Sequence, residues 1–170
     1  MVYTYSTIRP LLTTGSVILW KGNGVIPWLI RRWSEYSHAS LVIRLNNHEE
    51  LKDRVWLVEA LEGGLELRLL SERMYGYNGR TFAMVNDLDT HQQAIVRKFA
   101  MEQCGKGVRY DYQGLFRNIF GRVSQDADKF FCSEFVCAAL QLAQGCSRPN
   151  APRPGDLPRC CKRNVVEVVA

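Results

Sequence analysis

Residues 130–137 read Phe130-Phe131-Cys132-Ser133-Glu134-Phe135-Val136-Cys137. Apolar positions recur from there at Phe135, Val136, Ala139, Leu140 and Ala143 and stop before Gly145, which predicts a helix over 132–144 capped by that glycine. Cys132 then stands where a loop becomes a helix. Free amide hydrogens and the helix dipole at such a start favour thiolate over thiol, and they can hold a developing oxyanion. Cys137 lies inside the helix without that field and reads as a buried structural thiol. Cys132 itself has a bland alternative, a small core residue.

A thiol nucleophile needs a base, and the chain has three histidines. His48 sits in the charged turn Asn47-His48-Glu49-Glu50 and His91 in the first turn of an exposed helix, so both are expected in solvent. His38 lies in Glu35-Tyr36-Ser37-His38-Ala39-Ser40-Leu41-Val42-Ile43, immediately before a strand that gives it a fixed place. The competing reading is a core histidine satisfied by backbone groups. Glu59, in Val58-Glu59-Ala60-Leu61, is an acid inside an apolar strand, where a carboxylate is costly unless it is paired or exposed on one sheet face. Antiparallel pairing of the two strands would bring Glu59 beside His38, favouring the imidazolium and fixing its tautomer. An edge-strand acid facing water is the alternative.

Outward from these segments, short apolar runs predict strands at Gly15–Trp20, Ser40–Leu45, Val55–Ala60, Leu65–Leu70, Arg80–Asn86 and Val165–Val169. Leu65, Leu67 and Leu69 alternate with Glu66 and Arg68, the pattern of a half-buried antiparallel strand. Val25 to Trp33 reads as a short helix, with Pro27 tolerated in its first turn. Thr90 with Gln93 resembles a capping box that opens a helix ending at Gly105. A loop or short helix rich in aromatics follows, with Tyr110, Tyr112, Phe116 and Phe120, and the four prolines of Arg148–Arg159 predict an extended tail. The fold class is therefore α+β: an antiparallel sheet of about six strands packed with three or four helices.

Taken in order, the strand at Gly15–Trp20, Tyr36-Ser37-His38, Val58-Glu59-Ala60, Tyr110-Asp111-Tyr112 and Phe131-Cys132-Ser133-Glu134 resemble the circularly permuted branch of the NlpC/P60 papain-like superfamily. The likeness is greatest to YiiX/YebB-type members. It spans roughly residues 15–140 and extends weakly to Pro154-Gly155-Asp156-Leu157, similar to a Pro-x-Asp-Leu element of the family. Unpermuted members present the cysteine first and the histidine later; here His38 precedes Cys132. Ser16 departs from the usual Asp after the first Gly, and Ser40 stands where a Gly often follows the His.

The resemblance implies a permuted papain-like fold and a Cys132 nucleophile, with His38 as the base and Glu59 orienting it. The Cys132 N–H would be one oxyanion donor, and Tyr36 or Tyr110 a second donor or a substrate contact, with simple aromatic packing as the alternative for each. Glu134 is expected to favour the helix's first turn. Such enzymes act on amide, thioester or ester bonds, so a small-molecule, peptide or lipid-like acyl substrate is implied, with hydrolysis and acyl transfer both open. No cofactor is expected.

Composition bounds the rest. The 170 residues match one domain, with a core at about 15–145 and a tail at 146–170. A hydrophobic share of 46% and a charged share of 23% exclude wholesale disorder. The net charge is +5, of which residues 145–170 carry +3. No basic helix or aromatic-interleaved basic strand accompanies it, so no nucleic-acid partner is expected. The six cysteines form no CxxC pair and have no histidine at metal-ligand spacing, so no metal is expected. Met1 to Pro10 lacks a basic-then-apolar leader pattern, and no apolar run approaches the ~18 residues of a membrane span. A cytoplasmic setting with free thiols is expected. The apolar 25–33 segment, broken by Arg31 and Arg32, is expected to pack in the core, line an acyl pocket or make weak membrane-surface contact. Two functional readings stand beside the hydrolase: a catalytically inactive lipid- or peptide-binding module on the same fold, and a cell-wall murein peptidase.

Overall fold

In the computed structural model, the described residues are 1–24, 27–28, 32, 34–61, 64–105, 127–145 and 152–170, with side chains described from 132 onward in the 127–145 segment. In chain order the elements are β1 (Val2–Thr4), α1 (Tyr5–Ile8), β2 (Val17–Gly22), β3 (His38–Ile43), β4 (Trp56–Leu61) and β5 (Gly64–Leu69). Then come α2 (Leu70–Tyr75), β6 (Gly79–Met84), α3 (Thr90–Gly105), α4 (Ala127–Gln144), α5 (Leu157–Cys160) and β7 (Val166–Val169). Short 3-10 turns occupy Arg9–Leu11, Glu49–Leu51 and Pro154–Asp156.

The strands form one seven-stranded sheet in the order β1-β7-β6-β2-β3-β4-β5. It is mixed rather than purely antiparallel, because β1 pairs parallel to β7. The additional strand has only three residues with a mostly exposed pattern, and its partner lies at the other end of the chain, so no local periodicity announces it. Both faces are covered. Val17 and Leu19 of β2, Leu41 of β3 and Val58 of β4 pack with Val96 and Ala100 of α3 and Phe135, Val136 and Leu140 of α4. The alternate residues Ile18, Trp20, Val42 and Leu57 pack on the opposite side with Ile8, Leu12, Leu70 and Met74. Two-sided burial explains why β2 is apolar without alternation.

Three local expectations shift. The reciprocal capping bonds of α3 join Asp89 to Gln92, one residue before the Thr90–Gln93 pair: the Gln92 N–H donates to Asp89 Oδ1 at 2.8 Å and the Asp89 N–H to Gln92 Oε1 at 3.0 Å. Leu70 leaves the strand to open α2, where it is fully buried. From Pro154 the proline-rich tail is not extended, since Pro154 and Pro158 sit in the first turns of the 3-10 turn and α5, where a missing N–H costs nothing, and residues 148–151 lie outside the described residues. The Val25–Trp33 reading lies mostly outside the described residues; Trp28 is 55% exposed, with the Arg32 guanidinium 5.5 Å from its ring centroid. The 110–120 aromatics lie outside them altogether.

Gly15 turns the chain into β2 with φ +94°, and a Cβ there would lie 2.3 Å from Leu88 Cδ1. Gly15→Ala adds left-handed strain to a steric clash, so it costs about 2–4 kcal/mol. Urea unfolding is expected to show a lower midpoint at unchanged slope.

Candidate active site

β3 and β4 pair antiparallel with Leu41 opposite Val58. Continued by one residue, that register sets Glu59 opposite Ser40 and diagonal to His38, all on the face that carries Trp20. His38 is the first residue of β3, so its ring stands at the strand end. Its Nε2 lies 3.1 Å from Glu59 Oε1. The Ser40 hydroxyl donates to the same oxygen at 2.7 Å, and Arg73 Nε of α2 donates to Oε2 at 3.2 Å. The Glu59 side chain is wholly buried. Burial alone would raise its pKa, but His38, Ser40 and Arg73 together hold it below the ordinary carboxylate value.

Cys132 reaches the same imidazole from α4. Its thiol is hydrogen-bonded to His38 and receives the backbone N–H groups of Ala39 and Ser133. With Nε2 committed to Glu59, Nδ1 is the nitrogen left for the sulfur. Burial pushes the thiol up, yet the His38 charge and these three hydrogen bonds bring it below its usual value. For His38 burial also opposes charge; the Cys132 thiolate and Glu59 override it and raise its pKa to about 9. Both shifts favour a thiolate beside an imidazolium. Cys104, by contrast, has only burial acting on it and is pushed up to about 11.

One expectation is corrected. α4 begins at Ala127, so Cys132 and Glu134 both lie beyond its first turn. The free amides of a helix are its first four, and that of Cys132 is not among them. The thiolate is stabilised instead by His38 and the Ala39 N–H, brought to it by tertiary packing, and the Cys132 N–H is no longer a free oxyanion donor. The tail braces this junction: the Ser133 hydroxyl donates to the Pro152 carbonyl at 2.6 Å, and the Gly155 N–H to Ser34 Oγ at 3.0 Å. Both the cysteine helix and the loop into His38 are thus tied to one segment.

Tyr36 is buried, with its ring edge-on to Phe82 at 5.2 Å and its hydroxyl hydrogen-bonded to Glu35. Tyr110 lies outside the described residues. His48 and His91 are exposed. Ser40 and Arg73 join the site without a sequence signal of their own: Ser40 is a departure from the pattern near His38, and Arg73 lies in a helix with no chemical motif. Among the described residues, no group of three or more His, Cys, Asp or Glu could hold a metal, and no helix is long and apolar enough to cross a membrane.

The sequence pattern of the permuted papain-like amidase enzymes, YaeF/YiiX type, C92 family, matches residues 12–152. The chain belongs to this family. Membership makes it a papain-like hydrolase of permuted type, in agreement with a histidine strand that precedes the cysteine helix. Among solved structures, the permuted amidase fold is shared with the metalloprotein yiiX from Escherichia coli O157:H7, at a TM-score of 0.56 and 21% identity. The alignment covers 79% of this chain and 68% of that one. No curated protein matches the sequence.

Proposed function

We propose that the chain hydrolyses an amide or ester bond through a thioacyl enzyme, with Cys132 as nucleophile, His38 as acid–base and Glu59 as the group that orients His38. The observation that carries this reading is the unbroken hydrogen-bonded line from the Cys132 thiol through His38 to the buried Glu59 carboxylate. The thiolate sulfur attacks the carbonyl carbon, forming a C–S bond. Imidazolium Nδ1–H then gives its proton to the leaving nitrogen or oxygen as the bond from that atom to the carbonyl carbon breaks. Water attacks the thioester, His38 takes its proton, the acid departs and the thiolate–imidazolium pair is restored. An amide is favoured over an ester by the description of the family. The order His38, Glu59, Cys132 also supports kinship with the wider NlpC/P60 group, and residues 15–145 are the unit that carries the chemistry.

Alkylation tests the site without a known substrate. Iodoacetamide near neutral pH is expected to modify Cys132 at least about tenfold faster than Cys104, because the thiolate is favoured at one and suppressed at the other. Peptide mapping by mass spectrometry reads both. Equal rates would favour the catalytically inactive binding module instead. Loss of turbidity from peptidoglycan, absent in Cys132→Ala, would identify murein as the substrate.

A further inference from the structure

Glu59 is buried beyond the reach of water, yet it must accept a hydrogen bond from His38 in every state of the cycle. The direction of its bonds is set from outside. Trp20 Nε1–H donates to Ser40 Oγ at 2.6 Å, so the Ser40 hydroxyl proton is committed to Glu59 Oε1 at 2.7 Å. Oε1 can therefore only accept. Oε2 accepts from Arg73, whose guanidinium lies 4.9 Å from the Trp20 ring centroid and 5.2 Å from that of Tyr77. Two aromatic faces hold the cation against the acid.

While the thiolate–imidazolium pair exists, the charges alternate: Cys132 negative, His38 positive, Glu59 negative, Arg73 positive. After His38 has passed its proton to the leaving group, the imidazole is neutral and Arg73 is the remaining counter-ion. A buried carboxylate facing a neutral ring would take up a proton, and it would then donate where the network requires an acceptor. We infer that Arg73 is a positioning residue that keeps Glu59 ionised both as pH falls and while His38 is neutral, so that Nε2–H stays anchored through the whole cycle. This rests on the catalytic reading above. The other groups around Glu59 do not substitute for Arg73. Glu66, opposite it in β5, is a like charge paired with Arg68. Tyr77 is a phenol whose pKa burial raises. Glu72, beside Arg73 on α2, is a further acid. Cys132 lies behind His38.

The test is the pH dependence of Cys132 alkylation by iodoacetamide in wild type, Arg73→Met, Arg73→Lys, Glu59→Gln and the double variant Glu59→Gln/Arg73→Met. Arg73→Met is expected to move the acid limb up by about one pH unit, which is about tenfold slower alkylation on that limb, while Arg73→Lys leaves it in place. Glu59→Gln needs no counter-ion, so adding Arg73→Met to it is expected to change nothing further. If Arg73→Met fails to fold, the double variant is expected to fold, because both charges leave together. An unmoved limb in Arg73→Met, a limb displaced equally in Arg73→Lys, losses that add in the double variant, or a double variant that also fails to fold would each overturn the role of Arg73. Loss of the catalytic reading looks different: wild-type Cys132 would then react no faster than Cys104, and Glu59→Gln would leave it unchanged.

Discussion

Cys132→Ala is expected to lower hydrolysis by at least about 10⁴-fold, because in the proposed mechanism it removes the nucleophile and leaves only binding and polarisation. His38→Ala should fall comparably, and Glu59→Gln by about 10²–10⁴-fold, since the wrong tautomer and a lost charge follow from the amide. Incubation with peptide, murein-fragment and fatty-acyl amides, read by released amine, measures turnover. Intact mass spectrometry reads the thioacyl adduct on Cys132, whose added mass names the acyl class. Retained turnover in Cys132→Ala with an unchanged fold would remove the mechanism. The pH profile supplies a second signature. In the proposed mechanism the working form needs a protonated His38, whose raised pKa places the loss of turnover on the alkaline side as pH climbs through about 9. On the acid side turnover disappears as the thiolate takes a proton, below the ordinary thiol range because the Cys132 value is lowered. Alkylation shares the acid limb but not the alkaline one, for the thiolate persists after the imidazolium has gone.

Arg44→Met is expected to be the most damaging change away from the site. Arg44, the residue after β3, is 8% exposed, and its guanidinium donates to backbone carbonyls only: Leu12 from Nε at 2.8 Å, Lys52 and Arg54 from Nη1 at 3.3 Å each, and Arg9 from Nη2. One side chain thus gathers the turn after α1 and the loop between β3 and β4. Methionine has a similar stem but no donors, which takes the guanidinium bonds from the Leu12, Lys52 and Arg54 carbonyls while Arg9 keeps the Leu12 N–H, at a total cost of about 3–5 kcal/mol. For a chain of this length the melting temperature would fall by roughly 10 °C. The Thr14 hydroxyl, which accepts the Arg44 N–H at 2.9 Å, should lose much less when replaced by valine. A shift under about 1 kcal/mol in Arg44→Met, well below the cost of one buried orphan, would show that water replaces the guanidinium.

Much of the site was legible because its parts are local. Gly15, the apolar runs of β2 and β3, the acid inside β4 and the apolar repeat around Cys132 each mark themselves by composition or period over a few residues. The Gly145 cap also behaves as its position suggests, with φ +62° and its N–H bonded to the Gln141 carbonyl. The chain order of His38, Glu59 and Cys132 could be read without any geometry, and order alone separates a permuted from an unpermuted arrangement. Less was legible at element ends. The start of α4, the capping pair of α3 and the turns built around Pro154 and Pro158 all moved, since neighbouring residues compete for the same cap and packing settles which one takes it.

By itself, then, the sequence determined which residue types stand on which strands or helices, because residue type and periodicity are properties of short segments. Only the tertiary structure decided their protonation and their partners. The charge on Cys132 depends on His38 and on an amide of Ala39 almost a hundred positions earlier, and the charge on Glu59 depends on Arg73 from a helix that no motif announces. Electrostatic energies follow distance in space and burial, and neither is written in sequence separation.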